Sequence, residues 1–319
     1  MSALETQLAH ELKRFNATKN FIETVFIGGG TPSTVSPELY EPIFKLIQPY
    51  LINGIEITSE ANPNSATYEW LYGMRKLGVN RISFGVQSFN ETKLKLLNRA
   101  HTPNVAKQAI LDASAIGFKN LSLDLIYATL GDTKELLQKD VDIAFSLPIN
   151  HISAYALTIE EGTAFQSKPQ MSSEHLSLTS WLFDSIKSKG FPQYEISNFG
   201  EYNSVHNLGY WLYKDYIGVG AGAVGKLGFE RLYPISDIDE YLLNPLEVKI
   251  EVLSEEDIQI EKLFLGFRSS IGVETNILND EQTKRAHVLV QEKKIYLKSN
   301  RYYNNDYLLA DEITLFISS

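Results

Sequence analysis

The feature that most limits the fold of this chain is a regular alternation of strand-like and helix-like runs. An opening helix is predicted over residues 3–15. Five strands come after this helix, and each of them is followed by a helix. This order is typical of an α/β protein with a parallel sheet, and it predicts an open or incomplete (β/α) barrel. Because the chain opens on a helix, we expect one preceding barrel strand to be missing. The predicted strands are residues 24–28, 54–60, 81–87, 121–126 and 151–157.

The predicted strands carry one polar face and one apolar face. Glu56, Thr58 and Glu60 alternate with Ile55 and Ile57. A parallel strand covered by helices on both faces is usually apolar throughout. The polar face of these strands is therefore not expected to pack against helices. We expect it to line the lumen of the barrel, where sites form at the carboxyl ends of strands. The following strands repeat the pattern with Arg81, Ser83 and Gln87, and with Ser122 and Asp124.

A glycine triplet directly follows the first strand. Gly28, Gly29 and Gly30 precede Thr31, and such a run lets backbone N–H groups approach a ligand closely. No G-x-G-x-x-G dinucleotide motif is present, and no Gly-Lys-Ser/Thr sequence closes a phosphate loop. A tight turn without a ligand is the alternative interpretation.

Composition excludes several classes of protein. The chain has 319 residues, 44% of them apolar, a net charge of −10 and no cysteine. The negative charge argues against a general nucleic-acid or anionic-membrane surface, since those polyanions are bound by Lys and Arg. No signal peptide and no membrane-spanning apolar run is recognisable. Absence of cysteine excludes disulfides and is typical of a cytoplasmic protein.

The pattern changes near residue 232, and we predict a first domain over residues 1–231 and a second over residues 232–319. An amphipathic run with Ile260, Leu263 and Phe267 predicts a helix, and residues 294–317 alternate like a β-hairpin around residues 304–306. Together they predict a small α+β C-terminal domain. A winged-helix, DNA-binding interpretation is disfavoured by the acidic charge balance.

An ordered set of motifs resembles the radical S-adenosylmethionine (SAM) proteins related to oxygen-independent coproporphyrinogen III oxidase. The later motifs resemble the HemW branch of that family, whose members are haem chaperones. The motifs are residues 28–32 (GGGTP), 60–63 (EANP), 85–89 (GVQSF), 97–101 (LNRAH), 124–127 (DLIY), 206–211 (HNLGYW) and 215–223 (DYIGVGAGA).

The resemblance implies roles for particular residues. It implies that haem and SAM are ligands, that haem-accepting proteins are partners, and that His206, in a predicted loop, is a candidate axial ligand of haem iron beside Tyr210 and Trp211. A lone loop histidine is otherwise more often a surface residue. The residues expected to bind SAM are Gly29, Gly30, Thr31, Glu60, Gln87, Arg99, Asp124 and Ala156.

One family feature is missing. Family members hold a [4Fe–4S] cluster with a C-x3-C-x2-C loop, and this chain has no cysteine. We therefore expect no metal ligands for a cluster here and no radical chemistry from the chain as given. A segment missing upstream of this reading frame is the expected explanation, and enzymatic activity is left open.

Two other functions stay open at this point. One is an oxygen-independent coproporphyrinogen III oxidase-like oxidoreductase of porphyrin biosynthesis, which requires the cluster. The other is a barrel enzyme that binds a different small anion and uses Glu60 or Asp124 as a general base. The sequence also leaves open peripheral contact with a membrane, the identity of the haem acceptor and the oligomeric state.

Overall fold

A computed structural model describes residues 1–159, 165–173 and 175–319. The chain divides into two compact units, each assembled from separate stretches. The first comprises Met1–Glu23, Leu39–Ile55 and Ser204–Ser319, and the second comprises Thr24–Glu38 and Glu56–Asn203. The domain boundary between residues 231 and 232 stays a prediction.

The largest sheet has six strands in the order β1-β2-β3-β4-β5-β6. Strands β2 to β5 pair in parallel, whereas the short β6 pairs antiparallel with β5. The predicted fold class, an α/β incomplete barrel, is confirmed. The strands are β1 Ile22–Ile27, β2 Leu51–Ala61, β3 Arg81–Gln87, β4 Asn120–Tyr127, β5 His151–Ala156 and β6 Asn198–Gly200.

Helices follow the strands as the alternation predicts. Threonine caps fix several helix starts: the Thr67 side chain accepts a hydrogen bond from the N–H of Trp70, so the helix after β2 begins at residue 68. Left-handed Gly78 and Gly117 end two of the helices. The helices are α1 Ser2–Arg14, α2 Glu41–Ile47, α3 Tyr68–Leu77, α4 Glu91–Leu96, α5 Pro103–Ile116, α6 Lys134–Phe145, α7 Leu176–Ser188, α8 Val205–Trp211, α9 Ile238–Leu243, α10 Glu255–Phe267, α11 Asp280–Gln291 and α12 Ala310–Ser318.

The first unit contains two small antiparallel sheets. One has the order β7-β8-β9 and the other the order β10-β12-β11. The second packs with α10, α11 and α12 around a hydrophobic core that includes Phe267, Tyr302 and Ile313. The strands are β7 Gly225–Leu227, β8 Glu230–Pro234, β9 Val248–Val252, β10 Val273–Glu274, β11 Ile295–Lys298 and β12 Arg301–Asn304.

The predicted C-terminal hairpin is wrong in its position and length. The turn lies at Ser299 and Asn300, whose φ angles of 49° and 60° suit a two-residue turn with both residues left-handed. Residues 304–306 instead end β12 and lead towards α12. In α12 the buried Ala310, Ile313 and Ile317 recur with helical spacing, so this segment is a helix and not a second strand.

Within the part of the chain that the structure describes, no helix has both the length and the apolar character needed to cross a membrane.

Candidate functional site

The glycine loop after β1 offers exposed backbone beside a carboxylate. Gly29 has a φ of +88°, which a residue with a side chain rarely adopts, and a Cβ added at Gly29 or Gly30 would meet open space. The Gly29 N–H donates a hydrogen bond to the Glu60 carboxylate at the end of β2. At Gly28, by contrast, a Cβ would lie 2.6 Å from the Phe26 ring. The loop is therefore closely packed at its first glycine and open at the next two.

Hydrogen bonds of serine hydroxyls hold the segment that follows the glycine loop. Ser33 Oγ lies 2.6 Å from Ser65 Oγ and accepts a hydrogen bond from the Asn62 N–H at 2.9 Å. The Thr31 carbonyl accepts the N–H of Thr34 at 3.0 Å, which closes a short 3₁₀ turn. The segment after Gly30 is thus held against the chain that follows β2.

Two acidic side chains of this region have strongly raised pKa values. Burial, and then the nearby Asp124 carboxylate, raise the pKa of Glu60 to about 7, against the opposing effect of the Gly29 N–H. Burial also raises the pKa of Asp124 to about 6. Both groups change charge near neutral pH, which is common at functional sites.

Asp124 lies in a network of polar side chains from neighbouring strands. Ser153 and Ser83 donate hydrogen bonds to its carboxylate, the latter at 3.3 Å, and the cations of Arg81 and Arg99 also lower its pKa. These four effects only partly offset burial. The arrangement favours a ligand that donates hydroxyl hydrogen bonds to Asp124 and thereby stabilises its ionised form.

A second polar layer joins side chains of neighbouring strands. His151 on β5 has Nδ1 2.6 Å from Ser122 Oγ and 3.4 Å from an Arg81 nitrogen, and its Nε2 lies 2.8 Å from the Tyr194 hydroxyl. Burial, and then the Arg81 charge, hold the pKa of His151 well below its usual value. The neutral ring therefore links three strands and serves a structural purpose.

Gln87 is held in an uncommon backbone conformation at the end of β3. Its φ is +67°, and only 7% of the residue is exposed. The loop that follows is anchored by Asp140, which accepts hydrogen bonds of 2.7 Å from both Ser88 Oγ and the Phe89 N–H. A positive φ at a non-glycine residue costs energy, so these bonds maintain the strain beside the predicted site.

His206 lies on a helix, so its predicted placement in a loop is wrong. Ser204 caps α8 by accepting the N–H of Asn207, and the segment has no clear apolar periodicity that would predict a helix. His206 Nε2 lies 3.1 Å from the Tyr210 hydroxyl, with ring centroids 4.9 Å apart. The Tyr210 ring in turn contacts Tyr216 edge to face, at 4.8 Å.

The structure brings together some of the predicted SAM residues. Gly29, Glu60, Asp124 and Arg99 are linked by the hydrogen bond and charge interactions above. Thr31 precedes the 3₁₀ turn of residues 32–34, and Ala156 ends β5 opposite Tyr127. The predicted SAM residues all belong to the second unit, and His206 belongs to the first.

Sequence reasoning missed Ser153, Glu195 and Asn198 in the same region. Burial raises the pKa of Glu195 to about 7, and one carboxylate oxygen of Glu195 and the amide oxygen of Asn198 are buried without a partner among the described residues. His151 and Ser153 alternate with apolar residues and continue the polar face onto β5. This pattern is a sequence signal that Ser153 belongs to the site. No such signal exists for Asn198, because β6 is only three residues long.

The residues present do not fit an iron–sulfur cluster. The chain contains no cysteine, and among the described residues no group of three or more His, Asp or Glu is placed to hold a metal ion. They do fit a polar organic ligand, since the open glycine backbone, the carboxylates of Glu60 and Asp124 and the partly buried Arg99 interact with one another.

Comparison with known proteins assigns the family. Residues 4–144 match the model of the radical SAM superfamily. The chain is 34% identical over 280 residues to heme chaperone HemW of Lactococcus lactis, covering 83% of this chain and 73% of the relative. It is also 34% identical over 291 residues to heme chaperone HemW of Bacillus subtilis, with coverages of 86% and 76%.

A solved structure agrees in fold. Coproporphyrinogen III oxidase HemN from Escherichia coli, a radical SAM enzyme, matches 100% of this chain and 82% of its own with a TM-score of 0.82. Its sequence identity of 17% makes it a relative in fold alone. The similarity to HemW extends over most of both sequences, and the chain belongs to the heme chaperone HemW family of the radical SAM superfamily.

Proposed function

We propose that this chain binds haem and passes it to haem-accepting proteins. The observation that carries this proposal is the similarity to proteins named heme chaperones over 83% of the chain. The acceptors are proteins whose identity the sequence does not reveal, and the expected location is the cytoplasm. Haem is the cargo of this function, so binding must be reversible as well as specific.

The region around α8 has the chemistry that haem requires. A porphyrin is a flat apolar ring, and the exposed Tyr210 ring and its neighbour Tyr216 offer aromatic surface for it. His206 supplies an imidazole that can coordinate iron. The buried Trp211 Nε1 has no hydrogen-bond partner among the described residues, so a polar group of a ligand could pair with it.

We also propose that the barrel site binds SAM. SAM supplies a sulfonium group, an amino acid end and a ribose with two hydroxyl groups. Asp124 would accept ribose hydroxyl hydrogen bonds, with Gln87 beside it, and Arg99 would pair with the carboxylate of the amino acid end. Glu60 would accept hydrogen bonds from the amino group of SAM. The ligand would contact the backbone of Gly29, Gly30 and Thr31, and the small side chain of Ala156 would leave space for it.

A second function rests on the raised pKa of Glu60. A carboxylate with a pKa of about 7 is suited to general base catalysis near neutral pH. A barrel enzyme that acts on another small anion would use Glu60 in this way. A haem titration separates the two candidates, because such an enzyme has no reason to bind haem.

His206→Ala should weaken haem binding without unfolding the chain. Loss of the imidazole removes an axial ligand, whereas aromatic contacts remain, so we expect a drop of about tenfold in affinity and a shifted Soret band. His206 is only partly buried near the start of α8, and alanine favours helix. Optical haem titration and circular dichroism measure the two properties. His10→Ala, on the exposed face of α1, is the matched control.

Tyr210→Phe provides the complementary variant. If iron binds His206 through Nε2, the Tyr210 hydroxyl competes for the same nitrogen across 3.1 Å. Removing the hydroxyl keeps the ring and should tighten binding about two- to tenfold, since one net hydrogen bond no longer has to break. An unchanged affinity and spectrum in folded His206→Ala would eliminate His206 as the ligand.

A further inference from the structure

A row of polar and aromatic side chains crosses one face of the β7-β8-β9 sheet. Tyr216, whose ring contacts Tyr210 of α8, forms an antiparallel bridge with Lys226. Lys226 in turn lies opposite Arg231, and Arg231 lies opposite Glu251. Residues directly opposite one another in antiparallel strands share a face, with Cβ atoms about 5 Å apart. The row therefore leads from the aromatic surface at α8 to two cations.

Arg231 is the more accessible of these two cations. The Lys226 side chain is only 6% exposed, and its Nζ lies 2.7 Å from a carboxylate oxygen of Asp215. The Arg231 side chain is 22% exposed, and it pairs with Glu261 on α10 and, at 3.6 Å, with Glu251 on β9. A negatively charged group can therefore approach Arg231 from solvent, whereas Lys226 is enclosed.

Glu261 fills a pair of donors that suits any carboxylate. One of its oxygens pairs with the Arg231 guanidinium, and the other accepts a hydrogen bond of 2.6 Å from the Tyr213 hydroxyl. We refer to Arg231 and Tyr213 together as the carboxylate-binding pair. A guanidinium is planar and matches the geometry of a carboxylate, whether that group belongs to the protein or to a ligand. The Glu261 side chain is 29% exposed, so it can turn away to solvent.

The backbone at Tyr213 is strained in a way that retains its side chain. Its φ is +59°, directly after the end of α8. The Tyr213 N–H donates to the Tyr210 carbonyl at 2.9 Å, and the Lys214 N–H donates to the Gly209 carbonyl at 3.0 Å. These two bonds form the Schellman motif, in which glycine usually holds the left-handed position. A tyrosine at this position has a conformational cost, which is typical of a residue with a functional side chain.

Lysine side chains add positive charge beside the carboxylate-binding pair. The Nζ atoms of Lys226 and Lys262 lie 4.3 Å and 5.5 Å from the centroid of the Tyr213 ring. Lys262 is exposed on α10, and it forms no salt bridge with the residues that the structure describes. A ligand with two carboxylates would therefore meet a second, unpaired cation close to Arg231.

We propose that a haem propionate replaces the Glu261 carboxylate at the carboxylate-binding pair, an inference that rests on the proposed binding of haem at α8. Haem carries its iron at the centre of a flat ring and two propionate groups at one edge. With the iron at His206 and the ring against Tyr216, the propionates extend along the row towards the cations. The carboxylate-binding pair then holds one propionate, and Glu261 turns to solvent.

In this arrangement Glu261 is an internal competitor of the ligand. Two carboxylates at one guanidinium repel each other, so the propionate and Glu261 bind in turn. The exchange replaces one charge-assisted pair by another of the same kind, so neither direction leaves Arg231 without a partner. Return of Glu261 displaces the propionate, which suits a protein that must release its haem.

Esterification of the propionates tests this exchange on the full chain. Optical titrations compare haem with haem dimethyl ester, in which both propionate charges are absent. E261Q removes the competing charge and should tighten haem binding about tenfold, whereas R231Q should weaken it about tenfold or more. Neither variant should change the affinity for the ester by more than about twofold. E256Q, at an exposed position of the same helix, is the matched control for net charge.

The ester distinguishes propionate binding from a structural role of these residues. Circular dichroism checks the fold of each variant, and E261Q provides the test by itself if R231Q does not fold. Haem binding by E261Q that is no tighter than wild type, or a loss in R231Q that is equal for haem and ester, would overturn the exchange. Either result would leave haem binding at His206 intact, since His206→Ala should weaken the binding of both ligands. A wild-type chain that binds neither ligand would overturn the proposed function together with this inference.

Discussion

The 319-residue chain, purified and then reconstituted with iron and sulfide without oxygen, should hold no [4Fe–4S] cluster. Thiolates are the usual ligands of such clusters, and this chain has no cysteine. Among the described residues, no alternative set of three His, Asp or Glu side chains converges. We therefore expect a negligible iron content and no reductive formation of 5′-deoxyadenosine from SAM.

The measurement is iron analysis together with chromatographic detection of 5′-deoxyadenosine under strong reductant. A radical SAM protein that carries a three-cysteine loop, reconstituted in parallel, is the positive control. About four iron atoms per chain, with 5′-deoxyadenosine above the background, would contradict the prediction. The same result would revive the coproporphyrinogen oxidase-like alternative, which depends on electrons from the cluster.

Asp124→Ala should weaken SAM binding by about five- to 150-fold, the effect of losing roughly 1–3 kcal/mol from a buried hydrogen-bonding group. Ser83 and Ser153 donate hydrogen bonds to the Asp124 carboxylate, so the variant removes a positioned acceptor and leaves both hydroxyls without this partner. Calorimetry measures the affinity. Asp142→Ala, on the exposed surface of α6, should bind as wild type does.

The pH dependence of SAM binding by the wild type provides a second test of the site. Because the pKa values of Asp124 and Glu60 are raised to about 6 and about 7, both groups are largely protonated at pH 5. A ligand that needs the ionised carboxylates must displace those protons, so affinity should rise from pH 5 to pH 8 and then level off. Glu60→Gln should flatten the upper part of this rise. Equal binding by wild type and Asp124→Ala at all pH values would remove Asp124 from the site.

The strand pattern made the barrel predictable from sequence. β3 begins and ends at the predicted residues, because the polar and apolar side chains from Arg81 to Gln87 alternate cleanly. The polar alternation also places Ser83 and Asp124 on neighbouring strands, where the Ser83 hydroxyl donates a hydrogen bond of 3.3 Å to the Asp124 carboxylate. Alternation fixes which way a side chain points, and parallel register then brings neighbouring polar residues together.

Features set by long-range contacts were not predictable in the same way. The positive φ of Gln87 depends on hydrogen bonds from Ser88 and Phe89 to Asp140, which lies more than fifty residues further along the chain. The raised pKa of Glu60 depends on burial and on Asp124. Such effects arise only after folding, because propensity and periodicity describe local preferences.

Local sequence signals are misleading in two places. The polar segment around Ser204 has no apolar periodicity and predicts a loop at His206, whereas the Ser204 cap begins α8 there. In the C-terminal region, the Asn-Asn-Asp sequence at residues 304–306 suggested a turn, while the actual turn uses Ser299 and Asn300. Several polar runs there can form turns, and packing of α12 against the core decides between them.

The central claim, that this chain carries haem to acceptor proteins, is tested most directly by stopped-flow transfer of haem from the loaded chain. The acceptor is a haem-depleted haemoprotein of the same organism, and apomyoglobin serves as a trap that reports spontaneous dissociation. The account predicts binding of haem by the wild type, transfer to the acceptor faster than to apomyoglobin, and a rate that rises with acceptor concentration. Failure to bind haem, or transfer to both proteins at one rate that is independent of concentration, would contradict it.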